Sequence, residues 1–380
     1  MRELTCTIAL TLIKNIGVVT AKMLLERFGS ATAVFENRNN IRDVIPDATH
    51  RLIESMRNVD DAVERAKREV AFIEEKNIRA LCSSDAAYPR RLLNCADAPL
   101  VLYYYGNADF NDRKVVCVVG TRRCTPYGRY LCETFVRELG EAVPGVLVVS
   151  GLAYGIDVCA HRQSLSSGVD TVGILAHGLD MIYPASHRTV ATEMISHGGL
   201  LTEHVSRTPI DRFNFVRRNR IVAGVSDACV VIESGRKGGS LITAEMACGY
   251  DRDVFAFPGR VSDDMSRGCN SLIASNKAAM IESASDFVSL MGWDVKAKGQ
   301  KAKQLGLFDG VPDMDVYGLS DDAKKVICSL SGVEDKPVNT IVSETGLPYS
   351  AISLLIFDLE SKGLLESLAG NRVRLVKNRF

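Results

Sequence analysis

The sequence lacks both an excess of charge of one sign and any long hydrophobic run. Of its 380 residues, 46 are basic and 46 are acidic, so the formal net charge is zero. This balance excludes a protein that binds nucleic acid through bulk positive charge, but it leaves room for a local basic site, because sums hide clusters. No stretch reaches the ~18 apolar residues that a membrane-spanning helix needs, so we expect no membrane association.

Metal-binding and catalytic motifs are also missing. The 11 cysteines form no C-x-x-C pair, so we expect free thiols in a reducing cytoplasm. The histidines show no metal-ligand spacing, and the P-loop, G-x-S-x-G and G-x-G-x-x-G motifs are absent. We therefore predict no metal, no cofactor and no enzymatic activity. Asp157 and His161 are interpreted as a structural pair, and a catalytic dyad is the alternative.

Four segments of the chain differ in pattern. Residues 1–80 are helical in pattern, and residues 81–292 alternate short β-branched runs with Gly-rich turns and helices. Residues 293–318 combine lysines with Gly and Pro and show little apolar periodicity, which is typical of a linker. Residues 319–380 resume an amphipathic pattern. We predict a helical domain, an α/β domain, a linker and a small C-terminal domain with these bounds.

The middle segment carries the strand signals. Near-continuous apolar runs occupy residues 115–119, 146–149, 171–175, 229–232 and 254–257. Such runs are typical of strands that are buried on both faces of a sheet. Helical stretches separate most of them, so the pattern predicts an α/β fold with a doubly wound, mostly parallel sheet.

Three of the predicted strands end in Gly-rich turns that lead into helices, at residues 118–123, 149–157 and 233–240. In a doubly wound sheet such turns lie at the carboxyl edge of the strands, where ligands bind. Glycine lets the backbone approach an oxyanion, and a helix N-terminus presents free N–H groups. The convergence of three such turns predicts a phosphate-binding face.

Basic side chains are concentrated in two short stretches. The first stretch has no acid and contains Arg113, Lys114, Arg122, Arg123 and Arg129. The second is a predicted loop at residues 212–220, where four arginines alternate with Phe213 and Phe215. Arginine forks bind phosphate oxygens, and phenylalanine rings stack on unpaired bases with ~1–3 kcal/mol per base, which favours single strands over duplex. The alternative is that the phenylalanines are core residues and the arginines form salt bridges.

The two ends of the chain also carry recognisable patterns. Residues 13–29 resemble a helix-hairpin-helix, in which Asn15 replaces the usual first glycine and tolerates a left-handed conformation. Such a hairpin can offer backbone N–H groups to a DNA phosphate, and a small helical packing domain is the alternative. Residues 319–380 predict three helices and a hairpin, which is the order of a winged helix.

The predicted third helix of this C-terminal segment, residues 348–362, carries Asp358 and Glu360 and no basic residue before Lys362, so we do not expect it to read a DNA major groove. Basic residues of the wing and tail are positioned to contact phosphates: Arg372, Arg374, Lys377 and Arg379. A role in protein interaction fits equally well.

A series of short motifs runs in order through residues 88–285. They include Tyr88-Pro89, residues 98–100, 118–122 and 150–157, Ala160-His161, residues 178–180, Tyr183-Pro184, Thr202-Glu203, residues 215–221, 238–240, Pro258-Gly259 and 268–270. This series resembles the DNA-processing protein A (DprA/Smf) family. The resemblance implies an extended Rossmann-like domain that binds single-stranded DNA, forms a homodimer and loads RecA recombinase onto the strand during natural transformation. The helical and winged-helix segments fit the longer members of that family.

The resemblance and the turn chemistry together define the candidate site. The family's DNA pocket corresponds here to residues 120–122 and to the Phe215 loop with Arg218 and Asn219. The candidate nucleic-acid-binding residues are Gly120, Thr121, Arg122, Ser150, Gly151, Ala153, Gly155, Arg212, Phe213, Phe215, Arg217, Arg218, Asn219, Arg220, Lys237, Gly239, Ser240 and Thr243. Two departures from the family pattern are Val216, where Pro is usual, and residues 276–278, where Gly-Ala is usual near a surface used for dimerisation.

An enzymatic alternative comes from residues 238–245. They are similar to the G-G-x-G-T-x-x-E motif of nucleoside-monophosphate phosphoribohydrolases, and Glu245 lies at the right distance. However, Leu241 stands where that motif needs glycine, and Thr243 is shifted by one residue, which should spoil the phosphate cradle. We therefore predict a non-enzymatic single-stranded DNA binder and recombinase loader, with a nucleotide-hydrolysing enzyme as the alternative.

Overall fold

The computed structural model describes residues 2–293, 319–331, 333, 335–368 and 372–376. Two compact units divide the chain, one within Met1–Val295 and the other within Lys296–Phe380. Most of the predicted linker (residues 294–318), the wing turn at residues 370 and 371, Lys377 and Arg379 lie outside the described residues.

Six helices open the first unit: α1 (Glu3–Leu12), α2 (Val18–Phe28), α3 (Ala31–Glu36), α4 (Ile41–Val44), α5 (His50–Arg57) and α6 (Asp60–Glu75). In the turn between α1 and α2, Asn15 adopts a φ of 66°, the left-handed conformation expected for it. Buried side chains of these helices share one apolar core with Leu100, Val101 and Tyr103 of the sheet. Because that core joins the helices to the sheet, the domain boundary at residue 80 stays a prediction.

A nine-stranded sheet forms the centre of the first unit. Its strands are β1 (Arg79–Cys82), β2 (Val101–Gly106), β3 (Val115–Gly120), β4 (Leu147–Ser150), β5 (Asp170–Leu175), β6 (Gly198–Thr202), β7 (Ala228–Ile232), β8 (Asp253–Ala256) and β9 (Ala279–Met280). They are ordered β1-β2-β6-β5-β4-β3-β7-β8-β9. The seven strands from β6 to β9 in this order pair in parallel with their neighbours. Strand β2 pairs antiparallel with both β1 and β6. The predicted α/β fold with a mostly parallel Rossmann-like sheet is confirmed.

Successive strand residues point to opposite faces of the sheet, and both faces carry apolar side chains. Helices cover both faces. The helices after β1 are α7 (Arg90–Leu93), α8 (Pro126–Ala142), α9 (Ile156–Ser166), α10 (Arg188–Met194), α11 (Arg212–Gly224), α12 (Gly239–Gly249), α13 (Arg267–Ala274) and α14 (Ala284–Leu290), with a short 3₁₀ helix at Ala185–His187. Cys117 and Val119 of β3 pack on the face that carries α11 and α12. Val116 and Val118 pack on the opposite face, against α8 and α14.

The second unit contains α15 (Asp321–Leu330), β10 (Lys336–Pro337), α16 (Val338–Thr345), α17 (Tyr349–Ser361), β11 (Leu365–Leu368) and β12 (Arg372–Leu375). Its sheet is antiparallel in the order β10-β12-β11. Arg372 pairs with Asp335 and Arg374 pairs with Glu366, so both arginines already have acidic partners. The winged helix and its phosphate contacts stay predictions.

Among the described residues, no helix is by itself long and apolar enough to cross a membrane. Helices α16 and α17 pass the test of length and composition only as a pair, and the pair is bent by 113°.

Candidate nucleic-acid interface

Three Gly-rich turns lie side by side at the carboxyl edge of β4, β3 and β7, which are neighbours in the sheet. Each turn connects its strand to a helix: β3 to α8, β4 to α9 and β7 to α12. A cavity of about 630 Å³ opens between these turns and the first half of α11. We call it the edge cavity. Its position is the one at which open α/β sheets bind their ligands.

Many of the sequence-predicted site residues line the edge cavity. They are Gly120, Thr121, Arg122, Gly151, Ala153, Arg212, Phe215, Asn219, Gly239, Ser240 and Thr243. Sequence reasoning missed other lining residues, among them Tyr154, Asp157, Tyr183, Pro184, Ile210 and Val216. Tyr154 lies inside one of the Gly-rich turns and Tyr183-Pro184 is one of the family-like motifs, so the sequence carried a signal for both.

Glycine is required where two of the turns touch. Gly155 adopts a φ of 79°, and a Cβ added to it would lie 2.1 Å from the carbonyl oxygen of Thr121. A Cβ on Gly120 would lie 2.1 Å from the carbonyl oxygen of Ile232. Backbone therefore packs directly on backbone, and this contact sets the distance between the turns that border the edge cavity.

Aromatic rings and arginines form a cluster on the wall of the edge cavity. The guanidinium carbon of Arg122 lies 5.6 Å from the centroid of the Phe215 ring. Phe215 in turn meets Tyr183 edge to face, with ring centroids 5.7 Å apart and an interplanar angle of 62°. Arg122 and Tyr183 are both exposed. The cluster thus offers a cation for phosphate and ring faces for bases within one short distance.

A helix N-terminus adds partial positive charge at the same place. Helix α12 begins after Gly238, and no described side chain caps it. A Cβ added to Gly239 would meet nothing within 4 Å among the described atoms. By contrast, Thr125 caps α8 by accepting a hydrogen bond from the N–H of Gly128. The N–H groups of Gly239 and Ser240, the first two of α12, therefore remain available to an anion in the edge cavity.

Arg218 lies beneath the edge cavity and not on its surface, contrary to the prediction. It is 3% exposed, and its Nη1 donates to the carbonyl oxygens of Gly151, at 2.5 Å, and Ile174. Burial lowers the pKa of Arg218 to about 10 although the charge of Asp157 opposes that shift. Burial likewise raises the pKa of Asp157, against the influence of Arg218. The guanidinium therefore fastens the turn after β4 to β5.

The predicted loop at residues 212–220 is the first part of α11, which corrects the prediction. Asp211 caps this helix by accepting a hydrogen bond of 2.9 Å from the N–H of Phe213. Helical spacing turns Arg212, Phe215 and Asn219 toward the edge cavity. Arg220 instead is buried and pairs with Glu203 and the carbonyl oxygen of Asp97, so it lies outside the predicted site.

Arg113 and Lys114 lie at the wrong edge of the sheet for the predicted site. They precede β3, whereas Arg122 follows it, so the length of the strand, roughly 17 Å, separates them from the turns. Arg113 pairs with Asp170 at 2.8 Å, and the Nζ of Lys114 lies 5.1 Å from the ring centroid of Trp293. Both cations therefore have structural partners away from the edge cavity.

Several predicted residues support or flank the edge cavity without lining it. Ser150 is buried and donates to the carbonyl oxygen of Val118 at 2.6 Å. Gly155 holds the turn contact described above. Phe213, which is 66% exposed and lies under Arg212, flanks the cavity together with the exposed Lys237 and Arg217.

Neither enzymatic alternative gains support from the side-chain positions. The Nδ1 of His161 lies 2.7 Å from the Oγ1 of Thr171, and burial lowers the pKa of this histidine to about 3. The ring of His161 therefore bonds Thr171, and the structural interpretation of the Asp157–His161 pair is favoured. Glu245 has a side chain that is 71% exposed and pairs with Lys277 at 3.1 Å, away from the edge cavity. A phosphoribohydrolase would need this carboxylate inside the cavity.

Comparison with known proteins agrees with this geometry. The family model described as DNA recombination-mediator protein A matches residues 79–292, which include all nine strands of the sheet and the edge cavity. The chain belongs to this family. Protein Smf of Synechocystis sp. is 30% identical, over 95% of this chain and 96% of its own length.

Two solved structures of the family resemble the fold. The X-ray structure of DNA processing protein A (DprA) from Streptococcus pneumoniae matches with a TM-score of 0.65 and 30% identity, over 76% of this chain and 98% of its own. DNA processing protein A from Helicobacter pylori, whose structure addresses its single-stranded DNA binding mode, matches with a TM-score of 0.51 and 29% identity, over 57% of this chain and 96% of its own.

The two departures noted in the sequence, Val216 and residues 276–278, have defined positions in the structure. Val216 lies in α11, where its half-exposed side chain lines the edge cavity. Asn276 adopts a φ of 55°, a left-handed conformation that glycine takes without strain. Asparagine tolerates this conformation better than most other side chains.

Proposed function

We propose that this protein binds single-stranded DNA in the edge cavity and loads RecA recombinase onto the bound strand. The observation that carries the proposal is the cluster of Arg122, Phe215 and Tyr183 beside the open N-terminus of α12. A cation and a helix N-terminus suit phosphates, and exposed ring faces suit unpaired bases, which a duplex does not present. The Helicobacter pylori relative, described by its single-stranded DNA binding mode, supports this choice.

We expect the protein to bind oligo-dT more tightly than a matched duplex, and Arg122→Ala to weaken the oligo-dT complex about tenfold. The affinity falls because the variant removes one phosphate contact and the guanidinium that packs on the Phe215 ring. Removing a single phosphate contact should also reduce the log–log salt slope by about 0.7. Fluorescence anisotropy titrations at several salt concentrations measure both quantities.

The matched control is Arg137→Ala on α8. Arg137 is exposed and pairs with Glu138 and Glu141 of its own helix, so this variant removes the same charge away from the edge cavity. It should bind like the unmodified protein. Equal binding of duplex and oligo-dT, or equal binding by the Arg122→Ala and Arg137→Ala variants, contradicts the assigned site.

The recombinase part of the proposal rests on the family's description as a recombination mediator. We expect the protein to shorten the lag before RecA begins to hydrolyse ATP on oligo-dT coated with single-strand binding protein. Arg122→Ala should lengthen that lag, because it weakens the protein's hold on the strand. If the lag were the same with and without the unmodified protein, the loading role would be refuted, and the proposal of DNA binding would still stand.

The other parts of the proposal concern assembly. We propose a homodimer through the α/β unit, with residues 276–278 near the contact, as the family resemblance implies. The proposed role is binding and delivery of a strand in natural transformation and homologous recombination, without a catalytic step.

A further inference from the structure

A second, smaller cavity lies between the helical segment and the sheet. Its volume is about 270 Å³, and the turn that joins α1 to α2 forms one side of it. Apolar side chains such as Ile16, Val18 and Leu100 supply much of the wall. We call it the hairpin cavity. Its volume lies below the ~300–1,000 Å³ typical of sites for drug-sized ligands, so it suits a single ring system better than a length of chain.

Two buried polar atoms of residues that line this cavity have no hydrogen-bond partner among the described residues. They are the Oε1 of Glu203 and the Nε2 of His204. The Glu203 side chain is 6% exposed, and its Oε2 pairs with Arg220. The Nε of Arg217 lies 3.6 Å from Oε1, which is longer than a hydrogen bond. A buried carboxylate oxygen of this kind calls for an N–H donor from a ligand.

The imidazole of His204 completes the polar side of the cavity. Burial, followed by the charge of Arg217, lowers the pKa of His204 to about 4, so the ring is neutral at neutral pH. A neutral imidazole carries one donor and one acceptor nitrogen. Glu203 and His204 are consecutive and both line the cavity, so the free nitrogen of the imidazole can meet a second polar atom on the edge of a planar ligand.

The hairpin cavity and the edge cavity are adjacent. Thr208 lines the hairpin cavity and Ile210 lines the edge cavity, and two residues span at most about 7 Å of chain. Along α11, Val216 lines the edge cavity and the next residue, Arg217, lines the hairpin cavity. The two cavities therefore share two short pieces of backbone in their walls.

We propose that the hairpin cavity receives one unpaired base of the strand bound in the edge cavity and prefers a base with an exocyclic amino group over thymine. This inference rests on the proposed function. The amino group donates to the Oε1 of Glu203, and the neighbouring ring nitrogen or carbonyl bonds the Nε2 of His204. Thymine places carbonyl oxygens on both sides of its single N–H, so one of them would face the carboxylate.

The test compares oligo-dT with the same oligonucleotide carrying one central cytosine, a pyrimidine of the same size with an amino group. Fluorescence anisotropy at fixed salt should give about five- to tenfold tighter binding for the cytosine strand, as expected for one hydrogen bond to a charged acceptor. Equal affinities for the two strands would overturn the inference and leave the proposed function standing. Failure to bind either strand would overturn both.

Two variants locate the preference in the hairpin cavity. Val18→Phe fills the cavity, and His204→Phe removes the free ring nitrogen while keeping a ring of similar shape. Each should abolish the cytosine preference and leave the affinity for oligo-dT unchanged. The matched control is Val19→Phe on the same helix, because Val19 is 73% exposed and does not line the cavity. A cytosine preference that survives in both cavity variants would overturn the assignment.

Discussion

Replacing Gly155 by alanine should weaken oligo-dT binding at least about a hundredfold and lower the free energy of unfolding by about 2–4 kcal/mol. The added Cβ would lie 2.1 Å from the carbonyl oxygen of Thr121 and 2.7 Å from the carbonyl carbon of Arg122. Both neighbours are backbone atoms, which cannot rotate away as a side chain does. The turn after β3 must therefore move, and it carries Arg122 with it. Anisotropy titration and urea denaturation measure the two effects.

The matched control is Gly168→Ala, just beyond the other end of α9. Gly168 also has a positive φ, 66°, but a Cβ there meets nothing within 4 Å among the described atoms. This variant carries the cost of a positive φ, about 1 kcal/mol, without the clash between turns. Its DNA affinity should not change. If both glycine variants bound DNA alike, the packing of one turn on the other would not determine the shape of the edge cavity.

Five of the parallel strands were predictable from sequence, whereas the inner parallel strand β6 was not. Strands β3, β4, β5, β7 and β8 are buried on both faces and appear as continuous apolar runs. Strand β6 begins with Gly198 and Gly199, which have positive φ. A Cβ on Gly198 would lie 2.0 Å from the carbonyl oxygen of Thr171, so the glycine permits close strand approach while erasing the apolar signal.

The positions of the Gly-rich turns in the candidate site were predictable from sequence. The directions in which its arginine side chains point were less predictable. The three Gly-rich turns follow from strand order, and they border the edge cavity as expected. The arginines of residues 212–220 were placed together in one loop, but α11 sends Arg212 to the cavity and Arg218 into the protein. A helical reading, signalled by Asp211 as an N-cap, would have separated them.

Replacing Arg218 by methionine should lower the free energy of unfolding by about 3–5 kcal/mol at neutral pH and weaken DNA binding with it. The variant removes the donors to the carbonyl oxygens of Gly151 and Ile174 and leaves the buried Asp157 without its compensating charge. Methionine keeps most of the side-chain volume, so the loss reports the interactions and not a cavity. Urea denaturation and oligo-dT titration measure the change.

The deficit of the Arg218→Met variant should depend on pH, because burial raises the pKa of Asp157 and the arginine opposes that rise. Without the arginine, the folded-state pKa of Asp157 rises further above its unfolded value of about 3.9. A carboxyl group with a raised folded pKa binds its proton preferentially in the folded state. It therefore destabilises the fold above the folded pKa, and this penalty disappears below the unfolded pKa. The stability deficit should be largest near pH 7–8 and shrink as the pH falls toward about 4.

The second variant for this prediction is Asp157→Asn in the Arg218→Met background. It removes the uncompensated carboxylate, so it should recover part of the lost stability at neutral pH and abolish the pH dependence of the deficit. The two carbonyl oxygens remain without their donor, so recovery should be incomplete. A deficit of the same size at pH 5 and pH 8 in the single variant would show that Arg218 acts only through these carbonyls. The positive charge of Arg218 would then have no part in keeping Asp157 ionised.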